Sequence, residues 1–220
     1  MQAPTREALR AHPPHRFRAG RNGTKADIFI WDVDGVRLVV KDYAPRSAWV
    51  RGTMGRAMVR REVRAYSLLQ DCPGIPRFAG QVDSLAFAVE FVEGRDLWHF
   101  RPGQVPVEFF QKVRRLLDSV HRAGVAQGDI HHRDVLVGPD NEPFLVDFST
   151  AAFRQGSVGS LRQKLFQAVC GSDRRSVLKL KHRHVPHLLT EAEHYELTHP
   201  PLWYRLAKRI RSLWRTGRRK

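Results

Sequence analysis

The stretch that decides the fold is GVAQGDIHHRDVLVGPDNEPFLVDFS, residues Gly124–Ser149. It holds five acids, and Asp129, Asp134 and Asp147 stand against short apolar runs. DVLVG and PFLVDFS read as two short β-strands, joined by Pro139-Asp140-Asn141, residue types that set up turns. Acids at the mouths of strands, in a chain this basic, call for a chemical reason.

Upstream, PVEFFQKVRRLLDSVHRAG carries Phe109, Val113, Leu116, Leu117 and Val120 on one helical stripe, and Gly124 suits its C-terminal end. Further back, LAFAVEFVEGRDL predicts a buried strand followed by an exposed turn at Glu93-Gly94. GTMGRAMVRREVRAYSLLQ places Met58, Val59, Val63, Tyr66 and Leu69 near helical spacing, and Pro73, Gly74 and Pro76 end it. In DIFIWDVDGVRLVVKDYA two apolar runs flank Val33-Asp34-Gly35, a hairpin signal, and the second run ends in Lys41. Strands, a helix, strands and then mainly helices predict an α+β chain with a sheet-rich first lobe and a helical second lobe. The boundaries expected are 1–20, a poorly ordered basic arm; 21–93, the first lobe; 94–200, the second; and 201–220, a separate helix.

The chain has 220 residues, 42% of them hydrophobic, enough for a real core in one domain or two packed lobes. The 38 basic against 22 acidic residues give +16, a field that favours anionic partners. Cys72 and Cys170 share no motif spacing and are expected to be free thiols of a reducing compartment. The N-terminal residues show no apolar secretory core, and no run approaches the ~18 apolar residues that span a bilayer. His131 and His132 lie in the decisive stretch, and His182, His184 and His187 in KHRHVPH, but no second cluster completes a zinc spacing.

Lys41 closing a strand, Glu62 on the next helix, AVEFVEG, GDIHHRDVLV and VDFS follow one another in an order and spacing that resemble the protein-kinase-like fold. The likeness covers about residues 23–150. It looks most like the small bacterial branch of lipopolysaccharide core kinases (heptose and Kdo kinases) and their RIO-like relatives. That resemblance implies ATP and Mg²⁺ as cofactors. It implies that Asp129 orients the acceptor hydroxyl and takes its proton, and that Lys41 contacts the nucleotide phosphates while paired with Glu62. It implies Asp134 and Asp147 as metal ligands, with Asp134 standing where the family usually has Asn, and Ser149 where it has Gly. Gly23 and Thr24, in the glycine-poor GRNGTKAD, would cover the phosphates; the carbonyl of Glu90 and the N–H of Val92 would meet adenine.

The family's long segment ending in Ala-Pro-Glu is missing after Phe148, which by analogy favours a small or saccharide acceptor, such as a sugar or glycolipid, over a docked peptide. The alternatives are a RIO-like serine/threonine protein kinase or a catalytically weak pseudokinase module. Without any family, PLWYRLAKRIRSLWRTGRRK reads as a basic amphipathic helix: Leu202, Trp203, Leu206, Ile210, Leu213 and Trp214 share a face, and eight Lys or Arg accompany them with no acid. Such a helix suits an anionic membrane surface. Packing on the second lobe is the plainer alternative, and contact with nucleic acid the lesser one. The expected place is the cytoplasmic face of an inner membrane.

Overall fold

A computed structural model describes residues 2–12, 16–20 and 23–200. The helix expected at 201–220 lies outside the described residues.

The architecture starts from one tight turn. Asp34 and Gly35 have φ of 52° and 76°, both left-handed, as a two-residue hairpin turn of matching twist demands. Asp tolerates that region and Gly enters it freely. The turn fixes the register of β2 (Asp27–Val33) against β3 (Val36–Asp42), with Val33 opposite Val36 and Ile28 opposite Lys41. With β1 (Arg16–Arg18), β4 (Phe78–Asp83) and β5 (Ala86–Glu90) they form an antiparallel sheet in the order β1-β2-β3-β5-β4.

The pleat then sorts β3 by alternation. Leu38 and Val40 face one side, in a small core with Leu9, Phe29, Ala79 and Ala88. Val39 packs on the other side against the main core, and Lys41 shares its face. On that side lies α3 (Arg56–Leu68), which buries Val59, Glu62, Ala65 and Tyr66. A short helix, α2 (Ala48–Val50), and a π-turn (Arg51–Gly55) lead into it.

The arm expected to be poorly ordered holds structure instead. Residues Arg6–Ala11 form α1, capped by the Thr5 hydroxyl, which accepts from the Ala8 N–H. The Ala3 N–H donates to the Ala79 carbonyl at 2.9 Å, and Arg6 pairs with Asp42 and, at 2.7 Å, with Asp83. The segment has no apolar period of its own; Leu9 and these partners on the sheet hold it.

The second lobe is built on α4 (Val107–Arg122), whose Phe109, Phe110, Val113, Leu116, Leu117 and Val120 are buried. Gly124, at φ 84°, turns the chain out of it into β7 (Val125–Ala126). A loop leads to β8 (Val135–Val137), which pairs with β6 (Arg95–Asp96) and β9 (Pro143–Leu145). β10 (Ala152–Phe153) returns to β7. The long α5 (Leu161–His184) and α6 (Glu191–Thr198), the latter opened by a Thr190–Glu193 capping box, complete the described chain. One core runs through both lobes, from Tyr66 and Phe87 to Phe109, Phe148 and Val177. Among the described residues no helix is long and apolar enough to cross a membrane.

Candidate active site

The Lys41 Nζ lies 2.5 Å from Glu62 Oε2 and 3.2 Å from Asp147 Oδ1. Lys41 is 9% exposed and Glu62 not at all. Burial opposes the ammonium charge, but Asp147 and Glu62 outweigh it and hold Lys41 well above the ordinary lysine range. A buried charge survives only when paired this closely.

Asp147 adopts φ 69°, a left-handed conformation that costs a non-glycine residue on the order of 1 kcal/mol or more. Its surroundings hold it there. The Gln127 side-chain amide donates to the carbonyls of Val146 (3.0 Å) and Asp147 (2.7 Å), and the Ser149 N–H donates to Asp147 Oδ1 at 3.1 Å. Burial pushes the Asp147 carboxyl up, but Lys41 and the Ser149 donor win and keep it well below the usual carboxylate range. The Tyr66 ring meets Phe148 edge-on at 5.2 Å and Phe87 at 5.9 Å, so α3, β5 and the segment after β9 are packed as one stack.

Asp134 is carried beside it by the backbone. The Val146 N–H donates to the Asp134 carbonyl at 2.8 Å, and Asp134 Oδ2 accepts from the His131 N–H at 2.8 Å. Burial and then the Asp147 charge push the Asp134 carboxyl up to about 7, with a smaller push from Asp129. Asp129 sits half-exposed on the loop between β7 and β8, with Oδ2 3.3 Å from His131 Nε2.

The loop bearing Asp129 is anchored from below by a residue that the sequence reading missed. Asp173, fully buried on α5, accepts from the Gln127 N–H (2.8 Å) and His121 Nε2 (3.2 Å) through Oδ2, and from the Gly128 N–H (2.8 Å) through Oδ1. Gly128 has φ 93°, and a Cβ there would meet the Thr150 carbonyl oxygen at 2.6 Å. Nothing local marks Asp173: it lies 46 residues beyond Gln127 within a helix of weak amphipathic pattern.

Lys41, Glu62, Asp134 and Asp147 are thus brought into one electrostatic cluster, with Asp129 at its edge. Gly23 and Thr24 are exposed on the β1–β2 connection, and among the described residues no interaction ties them to the cluster. That connection doubles back at Gly20, where a Cβ would meet the Lys25 carbonyl oxygen at 2.4 Å. Glu90 closes β5 with its side chain held by Arg77 at 3.1 Å, and Val92 is half-buried on the irregular segment, residues 91–94, that leaves for the second lobe. Among the described residues no three His, Cys, Asp or Glu form a metal-binding group. The Asp134–Asp147 pair still fits a hard divalent cation: both offer oxygen, and their mutual repulsion is what a cation would relieve.

No protein-family model matches the chain, and no curated protein matches it. Solved structures do. The chain resembles the Rio2 kinase of Chaetomium thermophilum, solved as an ADP/Mg²⁺-phosphoaspartate complex, at a TM-score of 0.60 and 14% identity, over 95% of this chain and 61% of that one. A second structure of the same Rio2 kinase matches at 0.60 and 14%, over 95% and 62%. The chain therefore spans about three fifths of the length of these neighbours. The fold is protein-kinase-like, with a sheet-rich N-terminal lobe and a helical C-terminal lobe.

Proposed function

We propose that this chain is an ATP- and Mg²⁺-dependent phosphotransferase acting on a hydroxyl acceptor. One observation carries the reading: a buried ammonium, Lys41, stands within ion-pair distance of both Glu62 and Asp147, and the Asp147 charge in turn raises Asp134. Such a set of charges suits a nucleotide's phosphates and their cation. Lys41 steadies the phosphates, and Glu62 aims it. Asp134 and Asp147 would hold Mg²⁺, which when bound neutralises charge on the phosphates. Asp129 orients the acceptor hydroxyl and takes its proton as the oxygen bonds to the γ-phosphorus and ADP leaves. Gly23 and Thr24 cover the phosphates, and the main chain at Glu90 and Val92 receives adenine. The ADP and Mg²⁺ named for the Rio2 kinase structure support the choice of cofactors.

For the acceptor, we favour a sugar hydroxyl, as in a lipopolysaccharide-core-like glycolipid. Only residues 149–160 separate Phe148 from α5, and β10 ties part of them to β7, so this segment supplies little surface for docking a peptide. A membrane-bound acceptor also suits the composition of 201–220. The structural neighbours favour a second reading, a RIO-like protein kinase.

Transfer from ATP labelled in the γ-phosphate tests these readings. Label should pass from wild type to membrane glycolipid, and Asp129→Asn should cut it by ~100-fold or more. Label in protein alone supports the RIO-like reading. Mg²⁺-ATP binding with no transfer to either fraction makes the chain a pseudokinase.

A further inference from the structure

Beside the loop that carries Asp129 lies an aromatic and cationic cluster that the nucleotide reading does not use. Trp98 belongs to a turn of 3₁₀ helix (Leu97–His99) following β6, anchored by the fully buried Leu97. Its backbone N–H donates to the His132 carbonyl at 3.2 Å, so the turn is fastened to the loop just beyond Asp129. The His132 ring stacks on the indole at 4.7 Å and 27°. The guanidinium groups of Arg133 and Arg183 lie 5.3 and 5.5 Å from the indole. Even so, Trp98 is 47% exposed, a large aromatic surface left to solvent.

We infer that Trp98, Arg133 and Arg183 form the acceptor platform, and that it takes an anionic sugar, a ring bearing a phosphate or carboxylate. This rests on the phosphotransferase reading and narrows its substrate class. Chemical complementarity points to that class. An indole face stacks against the C–H face of a sugar ring, and a guanidinium fork matches a phosphate or carboxylate. Among the described residues, neither Arg133 nor Arg183 forms an ion pair with a carboxylate, so both charges are open to a ligand. A basic peptide would be repelled here. A single-stranded nucleic acid would want successive aromatic platforms, and the cluster has one exposed indole.

Calorimetric titration of the full chain tests this without ATP. The probes are glucose 6-phosphate, galacturonic acid, glucose, inorganic phosphate and oligothymidylate. Expected are tenfold tighter binding of an anionic sugar than of glucose or phosphate, and tenfold weakening in both Trp98→Ala and Arg133→Gln/Arg183→Gln. In both variants the thermal shift with Mg²⁺-ATP should match wild type, which shows that they fold. Equal binding of glucose and the anionic sugars, unchanged binding in the double variant, or tighter binding of oligothymidylate overturns the platform. Loss of the Mg²⁺-ATP shift in wild type overturns instead the reading on which the platform rests.

Discussion

Glu62 Oε2 lies 2.5 Å from Lys41 Nζ, in a position where neither residue has free access to water. Removing one partner alone strands a buried charge, at a cost of about 3–5 kcal/mol, whereas replacing both with apolar groups can be near neutral. Lys41→Met should therefore lose both turnover and stability. The Lys41→Met/Glu62→Leu double variant should recover most of the stability and none of the turnover. Chemical denaturation with a parallel phosphotransfer assay separates the two effects.

Asp147→Ala should eliminate the thermal shift that Mg²⁺-ATP induces, because it removes a proposed cation ligand and one of the two carboxylates that hold Lys41. A shift equal to wild type would sink the metal assignment.

Asp134 should make nucleotide binding depend on pH. Its carboxyl is raised from 3.8 to about 7 by burial and Asp147. Between those values the folded chain keeps a proton that the unfolded chain has released, so this residue lowers stability as pH rises through the window. Asp147 behaves oppositely: its contribution is present above the ordinary carboxylate range and fades only in acid. A cation must displace the Asp134 proton, so Mg²⁺-ATP should bind more tightly as pH rises from ~5.5 and level off above ~7. Asp134→Asn should flatten that profile. A flat wild-type profile would remove Asp134 from the cation site.

Asp173→Ala would leave the N–H groups of Gln127 and Gly128 and the His121 ring without their shared acceptor. Each orphaned buried group costs about 1–3 kcal/mol, so the melting temperature should fall by several degrees at least. Asp173→Asn, of the same shape, keeps an acceptor oxygen. It should lower kcat more than it changes the KM for ATP, since it loosens the loop that holds Asp129 rather than the nucleotide cluster.

Much of this was legible because it is local. The Asp34-Gly35 turn, the apolar stripe of α4 and the strand before Asp147 each carry their own short-range signal. The pairing of Lys41 with Glu62 across 21 residues was inferred from order and spacing within a resemblance, and the fold brings the two into contact. What stayed hidden depends on partners distant in the chain. α1 has one buried apolar residue and relies on Asp42, Asp83 and the edge of β4. Asp173 reads as an ordinary helix acid until α5 is laid beneath the loop. Nothing in the residues around Trp98 marks it as exposed.

The alternation along β3 ties the chemistry to odd and even. Val40 and Lys41 project to opposite sides of the sheet, one beneath α1 and the other toward Glu62. Slipping the β2–β3 hairpin by a single residue would exchange them. The ammonium would then be driven into an oily layer and a valine set against Glu62. Within β2 and β3 themselves, an inserted residue is therefore tolerable only where parity is preserved, a constraint imposed by the pleat of the backbone.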